Sequence, residues 1–338
     1  MKHVDALVAG VLGGRRRDVA RAITLVESAL PEHRAQAREL LRVLRETPSS
    51  SVRVGITGTP GAGKSTFIDA MGVRLIERGH RVAVLAIDPS SSRTGGSILG
   101  DRTRMAQLAM SDAAYIRPSP SGAHLGGVAR ATRETMLVVE AAGYDVVIVE
   151  TVGVGQSEVA AAGMVDTFLM LTLARSGDSL QGIKRGILEM VDVISVNKCD
   201  GDAEAEARVA ARELTMAMKL ITSDPDARRP PVLTSSSVTG HGLDDVWAAV
   251  VEHRAWLETQ PGGLEAHRAE QQVSWLWALV EGELTDSLRR SPAVRSLRAA
   301  LESEVATGDL SALEASQQIL RALAGDLPGL VGADGAGN

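Results

Sequence analysis

Residues 51–66 read SVRVGITGTPGAGKST, and the fold follows from this stretch. Its first half, SVRVGITG (51–58), is short, apolar and β-branched, the character of a strand buried on both faces. Gly58-Thr59-Pro60-Gly61-Ala62-Gly63-Lys64-Ser65 then satisfies the phosphate-loop spacing, with Thr66 in the same turn, and STFIDAMGVRLIERG (65–79) continues as a helix. Strand, glycine loop and helix in that order give the spacing a physical meaning. Glycines let successive backbone N–H groups turn inward around phosphate oxygens, and the helix start adds the positive end of its dipole. Lys64 is expected to reach the β- and γ-phosphates, and the Ser65 hydroxyl to bind Mg2+.

Outward from this unit the same strand pattern recurs in RVAVLAID (81–88), YDVVIVET (144–151), TFLMLTLA (167–174), VDVISVNK (191–198) and PVLTSSS (231–237). Helix-length segments separate most of them. Buried strands alternating with helices predict an α/β fold: a mainly parallel sheet covered by helices on both faces. Ahead of it, ARAITLVESAL and ARELLRVLRE carry apolar residues at helical spacing, with Pro31 placed to start a helix. Beyond His241 the strand signal disappears and the chain reads as helices to Leu323, before a tail, GLVGADGAGN. The expected organisation is an N-terminal helical region (1–48), a nucleotide-binding domain (49–258), a C-terminal helical region (259–330) and a flexible end (331–338). Trp247, Trp256, Trp275 and Trp277 fall in the helical C-terminal third, where core or interface packing is the expected role and ligand stacking the alternative.

Composition narrows the function. The 338 residues carry 36 Lys+Arg against 42 Asp+Glu, a net charge of -6, which argues against a protein that coats nucleic acid. No apolar run approaches the roughly 18 residues of a membrane span. The single cysteine, Cys199, allows neither an intrachain disulfide nor a cysteine-built zinc site, so the expected compartment is the cytoplasm. The N-terminal stretch imitates a targeting signal only briefly: Asp5 interrupts it and the arginines follow instead of preceding it. Lysine is scarce (Lys2, Lys64, Lys184, Lys198 and Lys219), so a lysine inside a motif carries more weight.

Asn197-Lys198-Cys199-Asp200, at the end of a predicted strand, specifies the base. A carboxylate offers two acceptors side by side, matching the donors on guanine N1 and N2, whereas adenine has an acceptor at N1 and no N2 amino group. Asp200 therefore selects GTP over ATP, and Ser236-Ser237-Val238 is placed to add backbone contacts to the base. Asp88 and Glu150 close two further strands at the phosphate edge, where acids can hold Mg2+ or its waters; a helix cap is the alternative for either alone. Glu150-Thr151-Val152-Gly153 stands where GTPases carry a DxxG switch, so the Gly153 N–H is placed to sense the γ-phosphate. Val154 follows, where Ras-type enzymes carry a water-orienting glutamine. Hydrolysis is therefore expected to be slow alone and faster with a partner, with Arg104, Gln156 and Lys184 as candidates to complete the site and Asp101 and Asp178 behind them. His124 and His241 have no second ligand at helical spacing and read as loop histidines.

With GTPGAGKST, AIDPSS, GDRTRM, ETVGVGQSE, SGDSLQGIKRG and NKCD in this order, the chain resembles the methylmalonyl-CoA mutase-associated GTPases of the MeaB/ArgK type. These are SIMIBI-class phosphate-loop GTPases, and the match runs through nearly the whole chain. The resemblance implies GTP/GDP and Mg2+ as cofactors and a homodimer joined through C-terminal helices. It also implies a chaperone of an adenosylcobalamin-dependent mutase, gating cofactor loading by GTP hydrolysis and protecting the mutase. Under it, Glu150 to Glu158 match the second switch and the stretch around Asp178 and Lys184 the third. Two alternatives stand beside it. An arginine/ornithine transport kinase needs a membrane partner that nothing here suggests, and a metallochaperone needs exposed Cys or His ligands. Thr59 occupies the place where some SIMIBI ATPases carry a lysine, which weakens an ATPase reading.

Overall fold

The structure, a computed structural model, describes residues 2–28, 30–87, 104–118, 125–151, 153, 157–174, 185–221 and 228–331. It divides into two units, residues 1–271 and 272–338. The first holds a seven-stranded sheet in the order β3-β2-β4-β1-β5-β6-β7. Its strands are β1 (Val52–Gly58), β2 (Val82–Ile87), β3 (Ala114–Arg117), β4 (Val146–Thr151), β5 (Thr167–Leu173), β6 (Val193–Asn197) and β7 (Val232–Thr234). Every pairing is parallel, with β1 between β4 and β5 through Val54↔Ile148 and Val54↔Thr167.

The sequence predicts six of these strands and misses β3. Its AYIR is four residues long, pairs only with β2 at the edge, and carries Arg117, so it lacks the continuous apolar run of a central strand. Arg117 is held outside the sheet by the Glu27 carboxylate, and Arg16 lies 5.7 Å over the Tyr115 ring, which ties the N-terminal helices to this edge.

Three N-terminal helices, α1 (Lys2–Leu12), α2 (Arg16–Glu27) and α3 (Pro31–Leu44), belong to the first unit. The buried side of α2 is Val19, Ala22, Ile23 and Val26, one stripe at helical spacing that packs against the helix Leu125–Ala141. On the other face of β1, Val54 and Ile56 meet Phe67, Ile68 and Leu75 from α4 (Lys64–Glu77), and Leu243, Val246 and Val250 from the helix Leu243–Thr259. Each such side chain contributes about 1.5–3 kcal/mol on burial, so the loop between β1 and α4 is anchored on both sides by core.

The helix Gly263–Arg290 begins just after the Pro261-Gly262 break, yet its first turns hold to the first unit. Arg268 donates Nε and Nη2 to the fully buried Asp166 carboxylate, at 2.8 and 2.7 Å, and Gln271 donates Nε2 to the Val165 carbonyl at 2.7 Å. The division between units therefore falls inside this helix, between residues 271 and 272. In the second unit, the helices Pro292–Thr307 and Ala312–Val331 are joined where Ser291 and the Ala293 N–H donate to Asp326, at 2.5 and 3.0 Å. The final helix extends to Val331, and residues 332–338 of the expected tail lie outside the described residues.

No helix among the described residues is long and apolar enough to cross a membrane.

Candidate nucleotide site

Because the sheet is parallel, the carboxyl ends of β1 (Gly58), β2 (Ile87), β4 (Thr151) and β6 (Asn197) all arrive at one edge, where ligands of such sheets sit. A cavity of about 600 Å³ opens there. Pro60, Gly61, Gly63, Lys64, Ser65 and Thr66 line it from the loop, and Ile87, Arg104 and Glu150 from across it. Gly63 caps the start of α4 with a φ of 85°, a left-handed conformation that costs a glycine little.

Lys64 is more than half buried and donates Nζ to its own loop's Gly58 carbonyl at 2.9 Å. Burial pushes its ammonium below the usual lysine range, and the Glu150 and Glu158 carboxylates pull it back. The Ser65 hydroxyl donates to Glu150 Oε1 at 3.0 Å. A hydroxyl and a carboxylate side by side, both hard oxygens at the cavity wall, fit a magnesium ion, which takes one or two protein oxygens and fills the rest of its octahedron with waters and phosphate. Gly153, with φ 89°, presses so close that a Cβ there would lie 2.1 Å from the Gly58 carbonyl oxygen. Only glycine fits between the switch segment and the loop. Thr59 Oγ1 and Thr151 Oγ1 are buried without a hydrogen-bond partner among the described residues.

At the carboxyl end of β6, the buried Asn197 donates Nδ2 to the Ala62 carbonyl at 2.9 Å and accepts at Oδ1 from the Ser237 hydroxyl at 3.1 Å. One side chain thus fastens the glycine loop to the segment that follows β7. Lys198 follows with φ 59°, the one non-glycine residue at positive φ among those described, and its aliphatic stem runs beside Gly63. Asp200 is half-buried and accepts from the Ser236 hydroxyl, while the Cys199 N–H donates to the Ser235 carbonyl at 2.9 Å. Val238 stands out at 81% exposed, an apolar surface at the rim of the base end.

The structure thus gathers Gly58 to Thr66, Glu150, Gly153 and Arg104 at one end, and Asn197, Lys198, Asp200, Ser236, Ser237 and Val238 at the other. Asp88, Gln156 and Lys184 lie outside the described residues, as do Asp101, Asp178 and His124. Asp88 is the next residue after Ile87, whose position on the cavity wall is described. Two features went unread in the sequence. Glu158 is fully buried and its charge acts on Lys64, a role that only its place at the end of ETVGVGQSE could have signalled. The Asn197 bond to Ala62 joins residues 135 apart, and no local pattern announces it. His241 is exposed, and no group of three or more His, Cys, Asp or Glu able to hold a metal occurs among the described residues.

The chain is similar to known proteins along most of its length. The model of the family described as methylmalonyl Co-A mutase-associated GTPase MeaB matches residues 19–293. A probable GTPase of Mycobacterium tuberculosis is 58% identical over 317 residues, 94% of each chain. The GTPase ArgK of Escherichia coli is 49% identical, covering 81% of this chain and 83% of its own. The mouse protein called methylmalonic aciduria type A homolog, mitochondrial, is 42% identical over 95% of this chain and 80% of its own. Among solved structures, one described as an LAO/AO transport system kinase matches with a TM-score of 0.77 and 37% identity, over 95% of this chain and 97% of that one.

Proposed function

Since the chain belongs to the methylmalonyl Co-A mutase-associated GTPase family MeaB and is a GTPase, we propose that it serves as the chaperone of an adenosylcobalamin-dependent acyl-CoA mutase. In this role GTP hydrolysis gates cofactor loading and protects the mutase. The observation that carries the nucleotide part is the Asn197 to Ala62 hydrogen bond, which makes phosphate loop and base reader one site. GTP would place its guanine against Asp200 and its phosphates against the amides of Gly61 to Ser65, with Lys64 turning from the Gly58 carbonyl to the β- and γ-oxygens. Ser65 and Glu150 would hold Mg2+, which supplies neutralisation of the charge that builds on the β,γ-bridging and γ-oxygens. Arg104, at the far wall, is placed to meet the γ-phosphate, and the Gly153 N–H to report whether it is there. Gln156 and Lys184 are proposed to complete the site when a partner docks.

The test is GTP turnover with and without a methylmalonyl-CoA-type mutase from the same source. Turnover is expected to be slow alone and to rise at least tenfold with the mutase. Turnover indifferent to the mutase would reject the chaperone role, and phosphate transfer to a small acceptor in its place would favour the kinase that the solved relative's name suggests.

We also propose a homodimer through the second unit. Val273, Leu276, Trp277, Val280 and Leu284 recur at helical spacing on Gly263–Arg290, each 39–61% exposed, an apolar stripe that a second copy would bury. Leu276→Glu with Val280→Glu is expected to convert a dimer to a monomer in sedimentation velocity. A wild-type chain that sediments as a monomer would refute it.

A further inference from the structure

At the opposite edge of the sheet, beside the start of β1, lies a second cavity of about 270 Å³. Arg45, Arg53 and Arg268 line it, with Thr47 and Glu140. Arg53 and Gly58 are five residues apart on β1, so at ~3.3 Å per residue this place is about 17 Å from the phosphate loop.

Its charges do not balance. Arg53 donates Nε and Nη2 to Glu140 at 2.6 and 2.8 Å. Arg268 donates Nε and Nη2 to Asp166, and Nη2 again to the Ser51 carbonyl at 2.7 Å. Nη1 of both guanidiniums has no acceptor among the described residues. Arg45 is exposed on the rim and makes no side-chain hydrogen bond or ion pair there; its charge reaches Glu134, which Arg130 already attends at 3.8 Å. Three guanidiniums thus meet two carboxylates. A fourth guanidinium, Arg133, is pushed down to about 10, first by burial and second by the charge of Arg53.

We propose that this cavity is a binding site for a phosphate-monoester anion, held by Arg45, by Nη1 of Arg53 and Arg268, and by the Thr47 hydroxyl. The donor set decides between anions. Arg45 offers a fork of two N–H groups, and Arg53, Arg268 and Thr47 add at least one donor each. A carboxylate has two oxygens to receive them, whereas a phosphate monoester has three terminal oxygens, enough to meet donors arriving from four side chains. Leu44 and Leu137 form an aliphatic wall, which accommodates the short organic group of a monoester.

Calorimetry of the full chain, saturated with GDP and Mg2+ to fill the nucleotide site, tests this with inorganic phosphate as the probe and acetate beside it. One saturable phosphate site per chain is expected, at least tenfold weaker in Arg45→Gln, with acetate at least tenfold weaker than phosphate. Arg45 makes no side-chain hydrogen bond or ion pair among the described residues, and Glu134 keeps Arg130 beside it, so Arg45→Gln should melt close to the wild type. Absence of saturation, equal affinity in Arg45→Gln, or acetate binding as tightly as phosphate overturns the proposal. So does phosphate binding that vanishes in Lys64→Ala, because the ion would then sit at the phosphate loop.

Discussion

Replacing Lys64 by alanine is expected to lower GTP turnover about 10²–10³-fold, the usual loss when one preorganised donor to transition-state charge is removed. The cause lies in where the ammonium sits. Lys64 is the first residue of α4, lines the 600 Å³ cavity, and is parked 2.9 Å from the Gly58 carbonyl, one short swing from the phosphates. Burial works against its charge, and the Glu150 and Glu158 carboxylates support it. When the γ-phosphoryl group leaves, the charge that builds on its oxygens would lose the ammonium that meets it in the wild type. Arginine should not rescue it, because a planar fork cannot occupy the space of a compact ammonium between Gly58 and the cavity. Single-turnover kinetics with GTP and Mg2+ measure the effect, and turnover within threefold of the wild type would remove Lys64 from its role.

The second large effect is on base choice. Asp200→Asn is expected to weaken GTP binding roughly 10–100-fold, equivalent to ~1.4–2.8 kcal/mol, and to improve binding of xanthosine triphosphate. The asparagine amide would present an N–H donor to one of guanine's two donors, leaving a repulsive pair in a half-buried position. Xanthine has a carbonyl at that place and accepts instead. The Ser236 hydroxyl, which donates to Asp200, fixes how the carboxylate faces the base, so the substitution changes chemistry without moving the segment. Competition between fluorescent and unlabelled nucleotides measures both affinities, and unchanged GTP affinity would sink the assignment of guanine recognition to Asp200.

Much of this was readable from the chain alone, and the reason is local chemistry. A phosphate loop must have glycines where its amides turn, lysine where the phosphates lie and a hydroxyl for the cation, so Gly58 to Ser65 declares itself in eight residues. The central strands declare themselves because burial on both faces demands uninterrupted apolar residues. What stayed hidden depends on partners far along the chain. The edge strand β3 is too short and too polar to stand out, and the hold of Arg268 on Asp166, 102 residues away, carries the helix Gly263–Arg290 past the glycine break that marks its start. Arg53 and Glu140 pair across 87 residues, and nothing near either one predicts a guanidinium-lined cavity.

Asn197 has a consequence for how the protein can fail. Its amide grips the glycine loop at Ala62 while its carbonyl anchors Ser237, so in the proposed binding mode one side chain would set the spacing between the two ends of the nucleotide, like the fixed jaw of a caliper. A single substitution there would loosen both grips together, so that recognition of the base and of the phosphates would be lost in the same step.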